Sequence, residues 1–371
     1  MLKILHTADI HLGARFAGLG DRGAAQREQL RTTFKKVIAT ALEERVDIVL
    51  VAGDLFDSNQ QPQRNTDLVI EQFGVLNDNR VPICVVPGTH DPLDSSSIYR
   101  KVDFDKRCPN LTVFVGEEMP WREYPDLDLT VYGRPNLSNR SYSSPLKGIK
   151  RTTSSRFHVA MAHGSLYIPE KTAEDDHVFR LDEIRESGMD YVALGHWHRP
   201  WSCCDKPSAW YSGPPEWIPD QRERGAVLLV TLLESGEVKV EPRETGVRGY
   251  DEVEIDMSEI RDRAMLQAMI YAGADRDLVR RVTLKGLRDA ELIVNTEELE
   301  AELGEKFFHL SLADRSHPRV GHVPEDSERL IMNRFIKLMN EQIENAQGDE
   351  REIAESALQY GIALLDGREV L

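Results

Sequence analysis

Apolar residues recur along the first two thirds of this chain in two alternating rhythms. Short, nearly continuous runs rich in Val, Ile and Leu occupy residues 3–8, 47–53, 81–88, 111–115, 129–133, 157–163 and 189–195. Runs of that length and composition read as strands buried on both faces. Between the first two, Leu30, Phe34, Val37, Ile38, Ala41 and Leu42 repeat at helical spacing, and Leu68, Val69, Phe73 and Leu76 do so less regularly before the third. Strand, helix, strand in alternation predicts an α/β sheet with helical crossovers. The turn Tyr211-Ser212-Gly213-Pro214-Pro215 and two further strands at 226–233 and 239–242 should close this unit near residue 246.

Beyond it the rhythm changes. Strands at 252–256, 279–284 and 307–313 with helices at 258–273 and 296–303 predict a small α+β unit over 247–315. Residues 314–324, with two prolines and a glycine, read as a linker. Two amphipathic helices follow, with apolar positions at Ile331, Phe335, Leu338, Met339 and Ile343 and at Ile353, Ala357, Leu358, Leu364 and Leu365. The turn residues Gly348-Asp349 between them make 316–371 a linker and a helical hairpin.

The chemistry gathers at the ends of the apolar runs. Five short motifs stand there in order: Asp9-Ile10-His11, Gly53-Asp54-Leu55-Phe56-Asp57, Gly88-Thr89-His90-Asp91, His163-Gly164 and Gly195-His196-Trp197-His198. Open α/β sheets collect their ligands at the C-terminal ends of strands. Asp9/His11 and His196/His198 have i, i+2 spacing, which in an extended segment places both side chains on one face. Mixed carboxylate and imidazole donors suit Mn, Fe or Zn better than an all-oxygen Ca or Mg site. Hydrolysis of a phosphoester needs an activated water and neutralisation of growing negative charge, both of which a pair of cations supplies. Asp54, after Gly53 and the strongest strand, is the expected bridging ligand. Asp9, His11 and His198 would complete one metal, and His163 with His196 the other. His90 is expected beside the leaving oxygen as proton donor or charge stabiliser, oriented by Asp57, while Asp91 fixes the turn.

Composition and charge add limits. Neither end of the 371 residues carries an apolar stretch of membrane-span or signal length, so a soluble cytoplasmic protein is expected. Cys84, Cys108, Cys203 and Cys204 lack metal-site spacing and read as reduced thiols. The net charge of −17 sits mostly at the C-terminal end, where residues 250–371 hold 27 acids against 15 Lys and Arg. By contrast, residues 129–169 contain no acid but carry Arg134, Arg140, Lys147, Lys150, Arg151 and Arg156. Such an island is either a solvated loop or a phosphate-backbone contact, for which Arg140, Lys147, Lys150 and Arg151 are the candidates.

The five motifs together resemble those of the calcineurin-like metallophosphoesterases. Within that family, the stretches 6–13, 53–57, 163–166, 190–198 and 211–216 are most similar to DNA repair nucleases of the SbcD and meiotic-recombination type. The resemblance implies a four-layer fold, two mixed β-sheets face to face with helices outside, followed by a capping domain and helices. It implies two metal ions with a preference for manganese, exonuclease and endonuclease activity on DNA, and a homodimer. It also implies an ABC-type ATPase partner whose coiled coil docks on the C-terminal helices.

One position departs from the family pattern. Where the resemblance implies an asparagine whose carbonyl ligates the second metal, this chain has Thr89, shorter by one atom and offering a hydroxyl. The second metal is therefore expected to be weaker or completed by water. Other readings of the same motifs are a phosphodiesterase or phosphatase on small phosphoesters, or a weakly active scaffold that binds DNA or a partner.

Overall fold

The computed structural model describes residues 1–116, 120–219, 221–289, 292–318 and 330–365. They form two compact units, Met1–Tyr250 and Asp251–Leu371.

In the first unit β1 (Leu2–Thr7), α1 (Gly23–Glu43), β2 (Ile48–Val51), α2 (Gln63–Asp78) and β3 (Ile83–Val85) follow the predicted order. Single turns α3 (Ile98–Lys101) and α4 (Phe104–Arg107) lead to β4 (Leu111–Val113). Next come β5 (Trp121–Tyr124), β6 (Leu129–Gly133), β7 (Phe157–His163), α5 (Leu181–Glu186) and β8 (Tyr191–Gly195). The hairpins β9 (Trp201–Asp205) with β10 (Ser208–Tyr211), and β11 (Ala226–Leu232) with β12 (Val238–Glu244), complete it. Two six-stranded sheets result, ordered β12-β11-β1-β2-β3-β4 and β5-β6-β7-β8-β10-β9. Both are mixed. β1 to β4 run parallel and β11 antiparallel to β1, while β6, β7, β8 and β10 run parallel between antiparallel edges β5 and β9.

The alternation of side chains along each strand builds the layers. Leu5, Val49, Val51 and Val85 pack against Phe34, Val37, Val69 and Phe73 of α1 and α2. Their neighbours Ile4, Ile48, Leu50 and Cys84 face the second sheet, meeting Val131, Val159, Met161 and Tyr191. On that sheet's outer face Tyr132, Ala160, Val192 and Leu194 are covered by Leu146, Ile149, Phe179 and Ile184. This is the expected α/β metallophosphoesterase layering. The outermost layer here is the short α5 and the coil of residues 134–156, with no long helix. All four cysteines are free thiols.

The second unit contains a three-stranded sheet of β13 (Gly249–Asp256), β14 (Leu278–Lys285) and β16 (His309–Asp314), crossed by α6 (Arg263–Tyr271) and α7 (Thr296–Leu303). β15 (Leu287–Arg288) and β17 (His317–Pro318) form a small separate ladder. Helix α6 starts later than the sequence predicts. Asp262 accepts the Met265 N–H at 2.8 Å and caps it, and Ile260 just before is extended and buried in the core. Its other end is held by Arg280, which donates to the Ile270 and Ala272 carbonyls at 2.7 and 2.6 Å and pairs with Asp251 at 2.7 Å.

The described residues end in α8 (Leu330–Asn345) and α9 (Asp349–Leu365), the expected hairpin. Its predicted linker falls outside the described residues from 319 onward. Phe335 rests directly on Gly361, while Ile331, Leu338, Ile353, Leu364 and Leu365 stay exposed. No described helix is long and apolar enough to cross a membrane.

Candidate metal centre

The segments leaving β1 and β2 are hydrogen-bonded to each other beyond the strands. The N–H groups of Asp9, His11 and Leu12 donate to the carbonyls of Gly53, Asp54 and Leu55 at 3.0–3.1 Å, and Asp57 N–H returns to Leu12. Asp9, His11, Asp54 and His196 all lie in the left-handed region, with φ of 54, 50, 52 and 108°. Each such non-glycine residue costs on the order of 1–3 kcal/mol, held in place by the surrounding fold. Two glycines give the room. A Cβ on Gly53 would lie 2.1 Å from His163 Nδ1, and one on Gly88 would lie 2.2 Å from Asp54 Oδ1.

These turns bring the predicted ligands together. The ligand atoms of Asp9, His11 and His198 lie within 4.8 Å of one another, as do those of Asp9, Asp54 and His163. Asp54 stands between the two groups. Its Oδ2 is 3.2 Å from His163 Nε2 and 3.7 Å from His11 Nε2, while Oδ1 accepts the His90 N–H at 2.8 Å. Thr89 joins them: its hydroxyl donates to Asp54 Oδ2 at 3.2 Å and lies 3.3 Å from His163 Nε2. His163 Nδ1 is 3.0 Å from the Ala52 carbonyl, so that nitrogen carries the hydrogen and Nε2 faces the carboxylate. His196 enters neither three-residue group. Its N–H donates to the Asp9 carboxylate at 2.9 Å, and its Nε2 faces Asp176 at 3.0 Å.

Burial dominates the electrostatics. It raises the Asp9 carboxyl, and Asp54 adds to the rise. At Asp54 the same burial is outweighed by His163, His11 and His90, and its carboxyl is held well below the usual range. His163 mirrors this, burial being overcome by Asp54 and Asp9 so that the imidazole is pushed up to about 9. Burial, with His11 nearby, lowers His198 to about 3, which keeps its lone pair available.

His90 and Asp57 sit differently from expectation. His90 lies at the rim with about half its side chain exposed, and its Nδ1 is 3.2 Å from the Asp57 main-chain carbonyl. The Asp57 carboxylate is 4.0 Å from His90 and instead meets His11 Nδ1 at 3.3 Å. Pairing of the two loops puts His11 nearer than His90. Asp91 fixes the turn, accepting the N–H groups of Gly88 and Phe56 and the Tyr99 hydroxyl.

The protein matches the calcineurin-like phosphoesterase family over residues 2–200. The chain belongs to that family. Its curated relatives include the uncharacterized metallophosphoesterase YhaO of Bacillus subtilis, 25% identical over 72% of this chain and 66% of that one. The DNA double-strand break repair protein Mre11 of Aeropyrum pernix is 32% identical over 62% of this chain and 58% of its own. One subunit of the nuclease SbcCD of Staphylococcus saprophyticus is 24% identical over 85% of this chain and 79% of its own. The chain thus spans about two thirds or less of the first two relatives' length.

This family uses a dimetal centre, and the side chains here fit one. His11 Nε2 is buried without a hydrogen-bond partner, aimed at the Asp54 carboxylate, and the donors mix imidazole with carboxylate. The expected DNA contacts are less uniform. Arg140 is paired with Asp175 at 3.1 Å and Arg151 with Asp190 at 2.6 Å, acids that lie outside the basic stretch in sequence and beside it in space. Lys147 and Lys150 are exposed. The carboxylate on His196, Asp176, has no motif spacing to announce it.

Proposed function

We propose that this phosphoesterase is a manganese-dependent DNA nuclease acting in repair. The observation that carries the reading is the Asp54 carboxylate set between two groups of metal donors, in a chain related to DNA repair proteins. Asp9, His11, Asp54 and His198 would hold one cation, and Asp54, His163 and His196 with Thr89 nearby would hold the other. Divalent cations supply, when bound there, a more acidic attacking water and neutralisation of charge on the phosphoryl oxygens. His90, at the rim with Nδ1 anchored, presents Nε2 to the leaving oxygen. Asp57 acts through His11, fixing that ring rather than His90. The test is cleavage of plasmid and of single- and double-stranded oligonucleotides with added Mn, alongside bis(p-nitrophenyl) phosphate. Turnover of the chromogenic ester without cleavage of any DNA would assign the site to small phosphoesters, a reading favoured by the pairing of Arg140 and Arg151.

Thr89 sets the metal requirement. Its hydroxyl occupies the edge of the second group, yet a longer side chain carbonyl would be the better ligand. Activity is expected to rise with added Mn. Thr89→Asn should lower the Mn concentration for half-maximal activity, by at least the roughly 10-fold that even outer partners of metals contribute. Two sites of equal, tight affinity, unchanged in the variant, would show that threonine suffices.

Of the basic stretch, Lys147 and Lys150 are the proposed phosphate contacts. Changing both to Glu should weaken DNA binding irrespective of sequence and flatten the log–log salt dependence by about two contacts' worth. An unaltered slope in a filter-binding series would make the stretch a solvated loop.

The terminal hairpin is proposed to dock a helical partner, the coiled coil of an ABC-type ATPase. Exposed Ile331, Leu338, Ile353, Leu364 and Leu365 support it, as does the relative that is a nuclease subunit. Deleting residues 324–371 should spare cleavage and abolish co-purification with that ATPase. Aggregation of the truncated chain would instead assign those residues to its own fold.

A further inference from the structure

Ser165, just after His163-Gly164, and Trp197, between the paired histidines, are polar residues for which the proposed metal centre gives no role. Both lead to Asp176. Trp197 Nε1 is 3.0 Å from Ser165 Oγ, Ser165 Oγ is 2.5 Å from Asp176 Oδ2, and that same oxygen is 3.0 Å from His196 Nε2. The direction of every bond follows from the chemistry. An indole nitrogen can only donate, so Ser165 accepts from Trp197 and turns its own hydrogen to Asp176. A carboxylate can only accept, so His196 must carry its hydrogen on Nε2. Its Nδ1 is then left as a lone pair.

We propose that Asp176 is the positioning carboxylate of His196, aligned by Ser165 and Trp197, and that it holds His196 in the one tautomer able to offer Nδ1 to a divalent cation. The inference rests on His196 being a ligand of the second metal. It gives His196 the same kind of support that its neighbours have, His11 through Asp57 and His163 through the Ala52 carbonyl. The bond from its N–H to Asp9 fixes where the His196 ring begins, and the contact of Nε2 with Asp176 fixes its rotation. Outer partners of this kind are typically worth about 10- to 100-fold in metal affinity.

The test uses the full chain and Mn alone. Calorimetry of Asp176→Ala should show the second equivalent bound about 10- to 100-fold more weakly with the first unchanged, and Asp176→Asn, which keeps the shape and an acceptor, a smaller loss. Nitrogen–proton correlation spectra of the protein without added Mn should show His196 protonated at Nε2, with that preference lost in Asp176→Ala. Trp197→Phe, which frees the Ser165 hydroxyl, should lose less than Asp176→Ala. His196→Ala separates the two readings. If it leaves both equivalents of Mn intact, His196 is not a ligand. If it loses the second equivalent while Asp176→Ala and Asp176→Asn bind both as the natural protein does, the positioning role is overturned and the ligand role stands.

Discussion

Asp54→Ala should abolish phosphodiester cleavage and leave both metals lost or weakly held. Asp9 belongs to both groups of donors, but Asp54 puts a single oxygen between them: Oδ2 lies 3.2 Å from His163 Nε2 and 3.7 Å from His11 Nε2. The loss should exceed the roughly 10- to 100-fold seen for outer partners of metals, because a bridging ligand serves two ions at once. Asp54→Asn is the sharper version. It preserves the side chain's shape and can still accept the His90 N–H, but it removes the charge that holds His163 up at about 9. Elemental analysis after gel filtration would read the metal content directly. Two equivalents retained with normal turnover in both variants would refute the bridging role.

The strands that lead to the candidate ligands were legible because burial on both faces demands continuous apolar sequence, as in the fully buried Ile48–Val51 of β2. Strands β5, β9 and β10 were not. Trp121–Tyr124 is exposed along most of its length and is a strand only because it folds back on Leu129–Tyr132 as a hairpin, with no apolar signature of its own. That Asp9, His11, Asp54, His163 and His198 gather at strand ends was readable from motif and order, since Gly-Asp and Gly-His pairs mark strand ends where the chain must turn sharply. What each candidate touches on its far side was not readable. Asp57 meets His11 because two loops about 45 residues apart are hydrogen-bonded together, and Asp176 reaches His196 from a coil with no repeat or motif. The partners of the basic stretch were hidden for the same reason. A window of sequence counts Arg140 and Arg151 but cannot see Asp175 and Asp190 folding back onto them.

The left-handed backbone at Asp9, His11, Asp54 and His196 ties the fold to the site. Four such residues within one cluster cost several kcal/mol in total on the usual scale, and the cost is carried by cores that enclose both sheets. In exchange, the chain turns sharply at the strand ends, where the carboxylates meet the imidazoles. Two of them, Asp9 and Asp54, are fully buried within reach of each other, an arrangement that repels itself unless cations or protonated imidazoles stand between. Binding sites are bought with stability in this way throughout enzymes.

His90→Ser should retain metal content and DNA affinity while kcat falls by about 100- to 10,000-fold, the range for a lost general acid. The side chain is separable from the centre it borders. Asp54 is held by the His90 main-chain N–H, which serine keeps, and the ring itself is half exposed, so its removal leaves no buried cavity. Leaving-group dependence decides what the ring does. A nucleoside alkoxide leaves poorly and needs a proton, whereas p-nitrophenolate leaves readily without one. If His90 donates that proton, the variant should lose far more activity on oligonucleotides than on bis(p-nitrophenyl) phosphate. Equal losses on both would mean that the imidazole acts on charge at the phosphoryl oxygens. Loss of a metal in calorimetry would make His90 a ligand, placing it with His11 and Asp57, whose ligand atoms also lie within 4.8 Å of its own.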